Sequence, residues 1–471
     1  MSEYLSIRPD ELAALFGPWC PVPSAATALA VSGGSDSTAL MVLFADWLRH
    51  SRQDAGLHAG LHTVLTVDHR LRPESAAEAQ AVAAVAAALG FRHATLVWDG
   101  PKPQTGIQAA ARTARYRLIA DYMCVNDIAL LLTGHTRDDQ AETLLMRLAR
   151  GSGLDGLAGM APRLSFSDLG IGDPASAVPE LVRPLLEVPK ARLRRTLEER
   201  GMAWIEDPSN QSPEFERPRL RAASPALHAL GLTDAMLALS ATRLARARRA
   251  IDRAVDQFCS PDAGAVRVDQ CGYVTIDRAR LQAAEEEIAL RVLSRAIAAA
   301  GGSDEPIPLG KLEAMAASIR GAETQSAKWT LARAMITAND RTVAVEREPG
   351  REPLPKLELQ PGAQACWDGR FWVEAGACGG PGVILGTVEV RALGEAAARE
   401  LRQQGALPTD VPMRAIGLVP SFWCEDKLAA VPALGFWSPP HRSDGFQSRF
   451  VWREKALPGA GSRAARGPRK A

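Results

Sequence analysis

Residues 32–37 read Ser-Gly-Gly-Ser-Asp-Ser and combine residue types that can bind a phosphate group. They lie between an apolar strand-like run at residues 27–31 and a helix-like apolar pattern. Gly33 and Gly34 let backbone N–H groups approach a ligand, and the following helix N-terminus adds unsatisfied donors and partial positive charge. Three side chains add hydroxyl donors: Ser32, Ser35 and Ser37. The loop therefore predicts a phosphate-binding site.

Asp36 suggests a metal ion at the same place. Its carboxylate would repel phosphate unless a cation lay between them, and Mg²⁺ commonly bridges carboxylates and phosphates. The loop is not a Walker A sequence, because it has no Gly-Lys-Ser/Thr and no lysine for a γ-phosphate. A plain glycine turn with a serine N-cap is the structural alternative, but a cap needs only one polar residue.

A second acidic group, Asp138, Asp139 and Glu142, follows an apolar run at residues 129–135. The two aspartates open a predicted helix, where carboxylates suit the positive end of the dipole. Glu142 falls one turn after Asp138 on the same face. These acids either stabilise the helix start or belong to a chemical site. His135, which ends the run, is expected to be a hydrogen-bonded positioning residue rather than a metal ligand.

The elements that must position these residues alternate between strands and helices. Strand-like runs at residues 27–31, 62–68, 93–98 and 129–135 precede helix-like runs at 38–50, 74–89, 107–125 and 138–150. Continuous apolar strands separated by helices predict an α/β fold with a doubly wound parallel sheet. Ligands bind such sheets beyond the carboxyl ends of the strands, which is where the loops at 32–37, 68–73 and 134–139 fall.

The rest of the chain differs in character. We expect a first domain at residues 1–215, a mainly helical domain at 216–350 that ends in a hairpin turning at Asn339-Asp340, and a small, mixed, β-rich C-terminal region at 351–471 with a basic, disordered tail. Residues 224–300 in particular are rich in Ala, Leu and Arg at helical spacing, with few β-branched residues.

Composition excludes several classes of protein. The 471 residues are 46% hydrophobic and 23% charged, with a net charge of +1, which is ordinary for a globular protein. No apolar run reaches the roughly 18 residues of a membrane span, and the acidic N-terminus does not resemble a signal peptide. The 7 cysteines contain no Cys-x-x-Cys pair, which argues against zinc or iron–sulfur sites and favours a reducing cytoplasm.

The loop at 32–37 resembles the pyrophosphate-binding loop of PP-loop ATP-pyrophosphatases, which have an adenine nucleotide α-hydrolase-like fold. Later strings resemble one family within that group, the tRNA(Ile)-lysidine synthetases. They are VDHRLRPES (67–75), GHTRDDQAET (134–143), RGSGLDGLAGM (150–160), RPLL (183–186) and WIEDPSN (204–210).

The resemblance implies ATP-dependent ligation of lysine to C2 of the wobble cytidine of a CAU-anticodon isoleucine tRNA, through an adenylated cytidine. It implies ATP and Mg²⁺ as cofactors, tRNA(Ile) and free L-lysine as partners, and a cytoplasmic enzyme without membrane association. A homodimer is an open alternative.

The resemblance also implies site residues. The catalytic residues are Asp36, Asp139, Glu142 and Arg217, of which Asp36 and Asp139 hold the metal. The expected ATP contacts are Ser32, Gly33, Gly34, Ser35, Asp36, Ser37, Arg112, Gly134 and His135. The expected tRNA or lysine contacts are Asp68, His69, Glu206, Asp207, Asn210 and Arg221.

Two features depart from or extend the family pattern. Pro218 stands where the family usually has asparagine, which puts any hydrogen bond of that amide in doubt. Arg246, Arg249 and Arg253 share one stripe of a predicted helix and either face solvent or contact tRNA phosphates.

Two other functions compete with this interpretation. The chain could be another PP-loop enzyme that modifies tRNA or forms an amide, or a catalytically dead tRNA-binding relative. The intact acids Asp36, Asp139 and Glu142 argue against a dead relative.

Overall fold

The chain folds into two compact units, one up to Arg248 and one from Arg249 onward. The computed structural model describes residues 5–20, 25–51, 61–103, 105–169, 171, 179–206, 216–303, 307–321, 327–350, 352–376, 386–405, 411–439, 441 and 445–451. Asp207, Asn210 and the basic tail lie outside these residues. The expected domain boundaries at residues 215 and 350 stay predictions.

The first unit alternates strands and helices before it becomes helical. Its strands are β1 (Thr27–Ala30), β2 (Thr63–Asp68), β3 (Arg92–Val97), β4 (Leu130–Thr133), β5 (Arg163–Ser165) and β6 (Glu180–Val182). Its helices are α1 (Leu12–Phe16), α2 (Ser35–His50), α3 (Ser75–Ala88), α4 (Ile107–Val125), α5 (Arg137–Ala149), α6 (Leu154–Leu157), α7 (Lys190–Glu199), α8 (Glu216–Ala229) and α9 (Asp234–Cys259), the last of which runs on into the second unit.

The six strands form one sheet in the order β3-β2-β1-β4-β6-β5. Every neighbouring pair is parallel except β5 with β6, which is antiparallel at the edge. The order runs outward in both directions from β1 and β4. A crevice therefore opens between the loops that follow these two strands, and this is where open α/β sheets bind ligands.

Apolar side chains cover both faces of the sheet. On one face Leu29 and Leu132 pack in a core with residues of α2, α3 and α7. On the other face their neighbours Ala28 and Leu131 pack against α4. Successive strand residues point to opposite faces, so burial on both sides produces the continuous apolar runs of the sequence. The expected doubly wound sheet is confirmed.

The predicted elements match closely. α4 has the predicted bounds, and the four expected strands differ from β1 to β4 by a residue or two at their ends. α2, however, begins at Ser35 rather than Thr38. The polar residues that line the loop already have helical geometry, so the apolar pattern marks the helix start too late.

α8 and the first half of α9 complete the first unit. Leu237 of α9 packs on Ala141 and Leu144 of α5. α8 begins at Glu216. Pro218 therefore lies in the first turn, where backbone N–H groups have no partner within the helix, and its missing N–H costs no helical hydrogen bond.

The second unit contains three antiparallel sheets and five further helices among its described residues. The strands are β7 (Val266–Val268), β8 (Val274–Asp277), β9 (Ala327–Leu331), β10 (Ala334–Ala338), β11 (Thr342–Arg347), β12 (Leu357–Leu359), β13 (Gln364–Trp367), β14 (Phe371–Ala375), β15 (Val388–Ala392), β16 (Pro420–Cys424), β17 (Lys427–Val431), β18 (Phe436–Trp437) and β19 (Phe446–Phe450). The helices are α10 (Arg278–Ala283), α11 (Glu286–Gly301), α12 (Leu309–Gly321), α13 (Glu395–Gln403) and α14 (Met413–Gly417).

The region expected to be helical also contains strands. β7 and β8 lie between α9 and α10, in a sheet ordered β7-β8-β11-β10-β9. The average composition of residues 224–300 hides the short β-branched run at residues 274–276 of β8. The expected hairpin at Asn339 is present as β10 paired with β11, and β9 extends it. Within the described part of the chain, no helix is long and apolar enough to span a membrane.

Candidate active site

The loop between β1 and α2 adopts a closely packed conformation that requires glycine. Gly33 has a φ of +87°, and a Cβ at this position would lie 2.4 Å from Cδ1 of Ile205. Ile205 donates its backbone N–H to the Gly33 carbonyl oxygen at 2.8 Å. Gly34, the N-cap residue of α2, provides no side-chain cap. Ile205 thus packs against the loop and stabilises its conformation, while the start of α2 suits an anion.

Gly134 brings the second loop against the first. A Cβ on Gly134 would lie 2.8 Å from the backbone oxygen of Asp36 and 3.1 Å from Cα of Ser37. Only a residue without a side chain permits this approach of the segment after β4. The acids in the first turns of α2 and α5 are therefore held at the same edge of the sheet.

Asp139 closes a capping box at the start of α5. Its Oδ2 accepts hydrogen bonds from the backbone N–H of Thr136 at 2.8 Å and from the Thr136 hydroxyl at 2.9 Å. Its Oδ1 lies 3.9 Å from Nη1 of Arg217. Burial alone would raise the pKa of Asp139, but the hydrogen bonds from Thr136 and the charge of Arg217 outweigh it and lower the pKa. One carboxylate oxygen shapes the helix start and the other remains for chemistry.

Glu142 is held by two arginines of α8. Arg221 donates from Nε to Oε1 at 2.5 Å and from Nη2 to Oε2 at 3.2 Å, and Nε of Arg217 lies 3.7 Å from Oε2. Burial raises the pKa of Glu142 despite this pairing. Burial would lower the pKa of Arg221, but Glu142, then Asp139 and Asp36, raise it. The field of all three acids therefore reaches the Arg221 guanidinium.

Lys190, which sequence reasoning missed, lies between two of the acids. Its Nζ is 2.7 Å from Oδ2 of Asp36, and its backbone N–H donates to Oδ2 of Asp138 at 2.9 Å. Burial raises the pKa of Asp138. The residue follows Pro189 after the RPLL string, and nothing in the local sequence indicates that it reaches a loop 154 positions earlier in the chain.

A cavity of about 400 Å³ adjoins these groups. Its lining includes acids and cations together: Asp138, Asp139, Glu142, Lys190, Arg194 and Arg221. The acids Asp139 and Glu142 remain slightly accessible, with side chains 16% and 11% exposed. A small ligand that carries both signs of charge matches this lining.

His135 lies beside the acids but is a neutral group. Its Nδ1 is 3.0 Å from the Thr133 hydroxyl. Burial, followed by the charge of Arg183, lowers the pKa of His135 to about 3. An uncharged imidazole at neutral pH fits the expected positioning residue and does not add positive charge to the site.

The loop after β2 carries a separate cluster. Asp68 accepts the backbone N–H of Arg70 at 2.8 Å, and the ring of His69 meets that of Trp98 edge-on at 5.7 Å. Burial lowers the pKa of His69 to about 4. Arg115 approaches His69 at 3.4 Å, whereas Arg112, the expected nucleotide contact, lies over the Tyr116 ring at 5.1 Å.

The remaining predicted residues have varied surroundings. Ser32 and Ser37 touch each other within the loop, their hydroxyls 3.3 Å apart, and Ser35 donates to Oδ1 of Asp36 at 3.2 Å. Four are exposed: Ser32 in the loop, Glu206 next to Ile205, and Arg246 and Arg249 on α9.

The donor set fits a magnesium ion shared with a nucleotide. Among the described residues no group of three or more His, Cys, Asp or Glu side chains could hold a metal alone. Mg²⁺ typically uses one or two carboxylates and takes its other ligands from phosphates and water, and it selects oxygen. Asp36 and Asp139 offer two carboxylates beside a loop suited to phosphate.

Comparisons with known proteins agree with this geometry. Residues 8–226 match the model of the PP-loop domain family. The tRNA(Ile)-lysidine synthase of Rhodopseudomonas palustris is 43% identical over 363 residues, which cover 74% of this chain and 98% of the relative. That of Ruegeria pomeroyi is 37% identical over 414 residues, 86% of this chain and 88% of the relative.

Both relatives extend well beyond the PP-loop domain, so the likeness includes much of the second unit as well as the candidate site. Identity at this level over most of both chains indicates common descent. This chain belongs to the tRNA(Ile)-lysidine synthase family.

Proposed function

We propose that this protein is an ATP-dependent ligase that joins lysine to C2 of the wobble cytidine in a CAU-anticodon isoleucine tRNA. One observation carries the proposal: a phosphate-type loop, three acids and their cations meet at the edge of the sheet, next to a cavity lined by both signs of charge. Family membership supports the substrate class, because relatives are named for tRNA(Ile) and lysidine.

ATP binds first, with its phosphates at residues 32–37. Asp36 and Asp139 would hold Mg²⁺, which would supply positive charge to neutralise the phosphates. Contacts from Arg112, Gly134 and His135 fix the nucleotide, and the neutral imidazole of His135 suits hydrogen bonding. The cytidine O2 attacks the α-phosphorus, the bond to the β-phosphate breaks, and pyrophosphate leaves.

Lysine then displaces AMP. Adenylation turns a poor electrophile into one with a good leaving group, and a neutral amine of lysine attacks C2 while the C2–O bond to AMP breaks. The amine loses a proton in this step. Glu142 positions the amine or accepts this proton, and burial, which raises the pKa of Glu142, makes its carboxylate a stronger base.

The cavity is the site proposed for free lysine. An amino acid carries ammonium and carboxylate groups, and the lining offers Asp138 and Glu142 for the first and Arg221 and Arg194 for the second. Arg217 approaches both Asp139, a proposed metal ligand, and Glu142, a proposed lysine contact. Pro218 does not disturb this, because α8 positions both arginines with proline in its first turn.

Around this centre, Asp68, His69, Glu206, Asp207 and Asn210 would contact the tRNA near the reacting base or the lysine. Arg246 and Arg249, exposed on α9, would contact tRNA phosphates. We further propose a cytoplasmic enzyme. A homodimer remains an alternative to a monomer.

The test is direct. The purified protein is incubated with ATP, Mg²⁺, isotope-labelled lysine and a CAU-anticodon isoleucine tRNA, and the nucleosides are analysed by mass spectrometry. Lysine joined to cytidine is the expected product, and a methionine tRNA with the same anticodon is the matched control. A tRNA that is modified without lysine, or modified at another base, would favour a different PP-loop enzyme. ATP binding without AMP formation would favour a dead relative.

A further inference from the structure

The phosphate loop lacks a cation in sequence but has one in space. Residues 32–37 contain neither Lys nor Arg. Lys190, which comes much later in the sequence of the first unit, places Nζ 2.7 Å from Oδ2 of Asp36. The Lys190 side chain is 28% exposed. The Lys190 ammonium therefore lies beside any ligand that Asp36 helps to bind.

The position of Lys190 is fixed from two directions. It is the first residue of α7, after Pro189 at the N-cap, and its backbone N–H is held by the carboxylate of Asp138. Leu193 and Leu197 anchor α7 in the core of the sheet domain. Because the backbone is held in this way, the ammonium can move between partners only by rotation of its own side chain.

The charges of the site leave a role for this ammonium. Arg221 donates two hydrogen bonds to Glu142 and lines the cavity proposed for lysine, and Arg217 lies between Glu142 and Asp139. Triphosphate adds several negative charges next to Asp36, so a metal ion that binds Asp36 and the phosphates would compete with Lys190 for that carboxylate. The released ammonium would then face the phosphates.

We propose that Lys190 binds the β- and γ-phosphates of ATP and stabilises pyrophosphate as it leaves, and that it holds Asp36 in place before the nucleotide arrives. It forms no covalent bond and transfers no proton. The inference rests on the proposed function only for the position of cleavage, between the α- and β-phosphates.

The test compares ligands that contain and lack these phosphates. Binding of ATP, inorganic pyrophosphate and AMP to the full chain is measured by calorimetry with Mg²⁺ for wild type, Lys190→Met and Lys190→Arg. We expect Lys190→Met to weaken ATP and pyrophosphate about 10- to 100-fold, the range for one hydrogen bond to a charged group, and to change AMP by less than about twofold. Lys190→Arg should recover most of the loss.

Arg195→Met is the matched control, because Arg195 lies on the exposed side of the same helix and pairs with Glu199. It should bind all three ligands like wild type. The inference is overturned if Lys190→Met weakens AMP as much as ATP, if it leaves pyrophosphate binding unchanged, or if Lys190→Arg binds pyrophosphate no better than Lys190→Met.

The measurement separates this inference from the function. Pyrophosphate binding requires neither tRNA nor lysine. A wild-type protein that binds pyrophosphate through Lys190 but forms no lysidine would contradict the proposed function and leave the role of Lys190 standing.

Discussion

Two clusters of acids and cations, one in each unit, differ in how completely their carboxylates are paired. In the second unit Asp368 is fully buried and accepts hydrogen bonds from Arg333, Arg347 and Arg370. Both carboxylate oxygens take two N–H groups at 2.7–3.2 Å, which satisfies the acceptor capacity of the group. In the first unit Asp36 is 20% exposed and has one cation beside it.

The difference indicates what each cluster does. A saturated, buried carboxylate has no capacity left for a ligand. Asp368 therefore serves to fix the turn between β13 and β14 to Arg333 and Arg347 of the sheet that contains β9 to β11. The acids at the sheet edge have partners at 3.7–3.9 Å as well as close ones, and a cavity beside them. Incomplete pairing leaves them able to bind. Substitutions in the two clusters should therefore have opposite effects on activity and stability.

Asp36→Asn should cause the largest loss. The change preserves shape but removes the charge that holds the metal, so we expect tRNA-dependent ATP–pyrophosphate exchange to fall by at least about 100- to 1000-fold, the usual effect of losing one electrostatic contact in a reaction centre. Isotope exchange between pyrophosphate and ATP measures it. The thermal unfolding midpoint should change little, and an exchange rate near that of wild type would reject the metal assignment.

Asp368→Asn should have the reverse pattern. It leaves three guanidinium groups around a neutral amide, and removal of one partner from a buried ion pair costs about 3–5 kcal/mol. We expect a clear fall in the stability of the second unit, measured by chemical denaturation, while pyrophosphate binding to the first unit stays intact. Asparagine tolerates the φ of +51° at this turn, so backbone strain does not confuse the result. Unchanged stability would mean that the cluster is not structural.

Arg217→Ala should have a smaller effect on chemistry than Asp36→Asn. Its side chain is 43% exposed and meets Asp139 and Glu142 only at 3.9 Å and 3.7 Å. We expect about a tenfold weaker engagement of lysine or tRNA with ATP binding unchanged, consistent with one long charge contact. Steady-state KM values for each substrate measure it. Arg219→Ala, on the exposed side of the same helix, is the control, and identical constants in both variants would remove Arg217 from the site.

The sheet and its loops were predictable from the sequence because local signals agree there. Glycine and serine follow an apolar strand at residues 32–37, acids open the helix at Asp138, and continuous apolar runs indicate strands buried on both faces. Periodicity and loop chemistry therefore place the two loops at one edge. They also indicate α4 to the residue.

The contacts that depend on distant pairing were not predictable in this way. Lys190 reaches Asp36 because α7 packs on α2. Asp368 pairs with Arg333 from the β9–β10 turn, Arg347 at the end of β11 and Arg370 of its own turn. Neither set of contacts can be recognised from local spacing. β7 and β8 were missed because three- and four-residue strands are too short to alter the average of a long helical window. Tertiary packing decides these features.

The smallest expected effect concerns pH. Burial lowers the pKa of His135, beside the acids at the sheet edge, to about 3, below the ordinary value near 6.5. The unfolded chain therefore binds a proton at this imidazole more readily than the folded chain does. The stability due to the neutral imidazole is complete above pH 6.5 and declines as the pH falls below it, by at most about 1.4 kcal/mol per pH unit for one proton. Burial raises the pKa values of Asp138 and Glu142, which act in the opposite direction near their own pKa values.

His135→Gln isolates this contribution, because glutamine can still bond to the Thr133 hydroxyl but does not titrate. Between pH 6.5 and pH 5 the wild type should lose more of its unfolding midpoint than the variant, as measured by thermal denaturation. The cluster around Asp368 behaves differently. Burial would raise the pKa of Asp368, but the arginines lower it. The contribution of this carboxylate to stability is therefore lost only below about pH 4. Asp368→Asn should therefore leave the pH slope above pH 5 as in wild type. Equal slopes for wild type and His135→Gln would contradict a buried, neutral imidazole at the edge of the sheet.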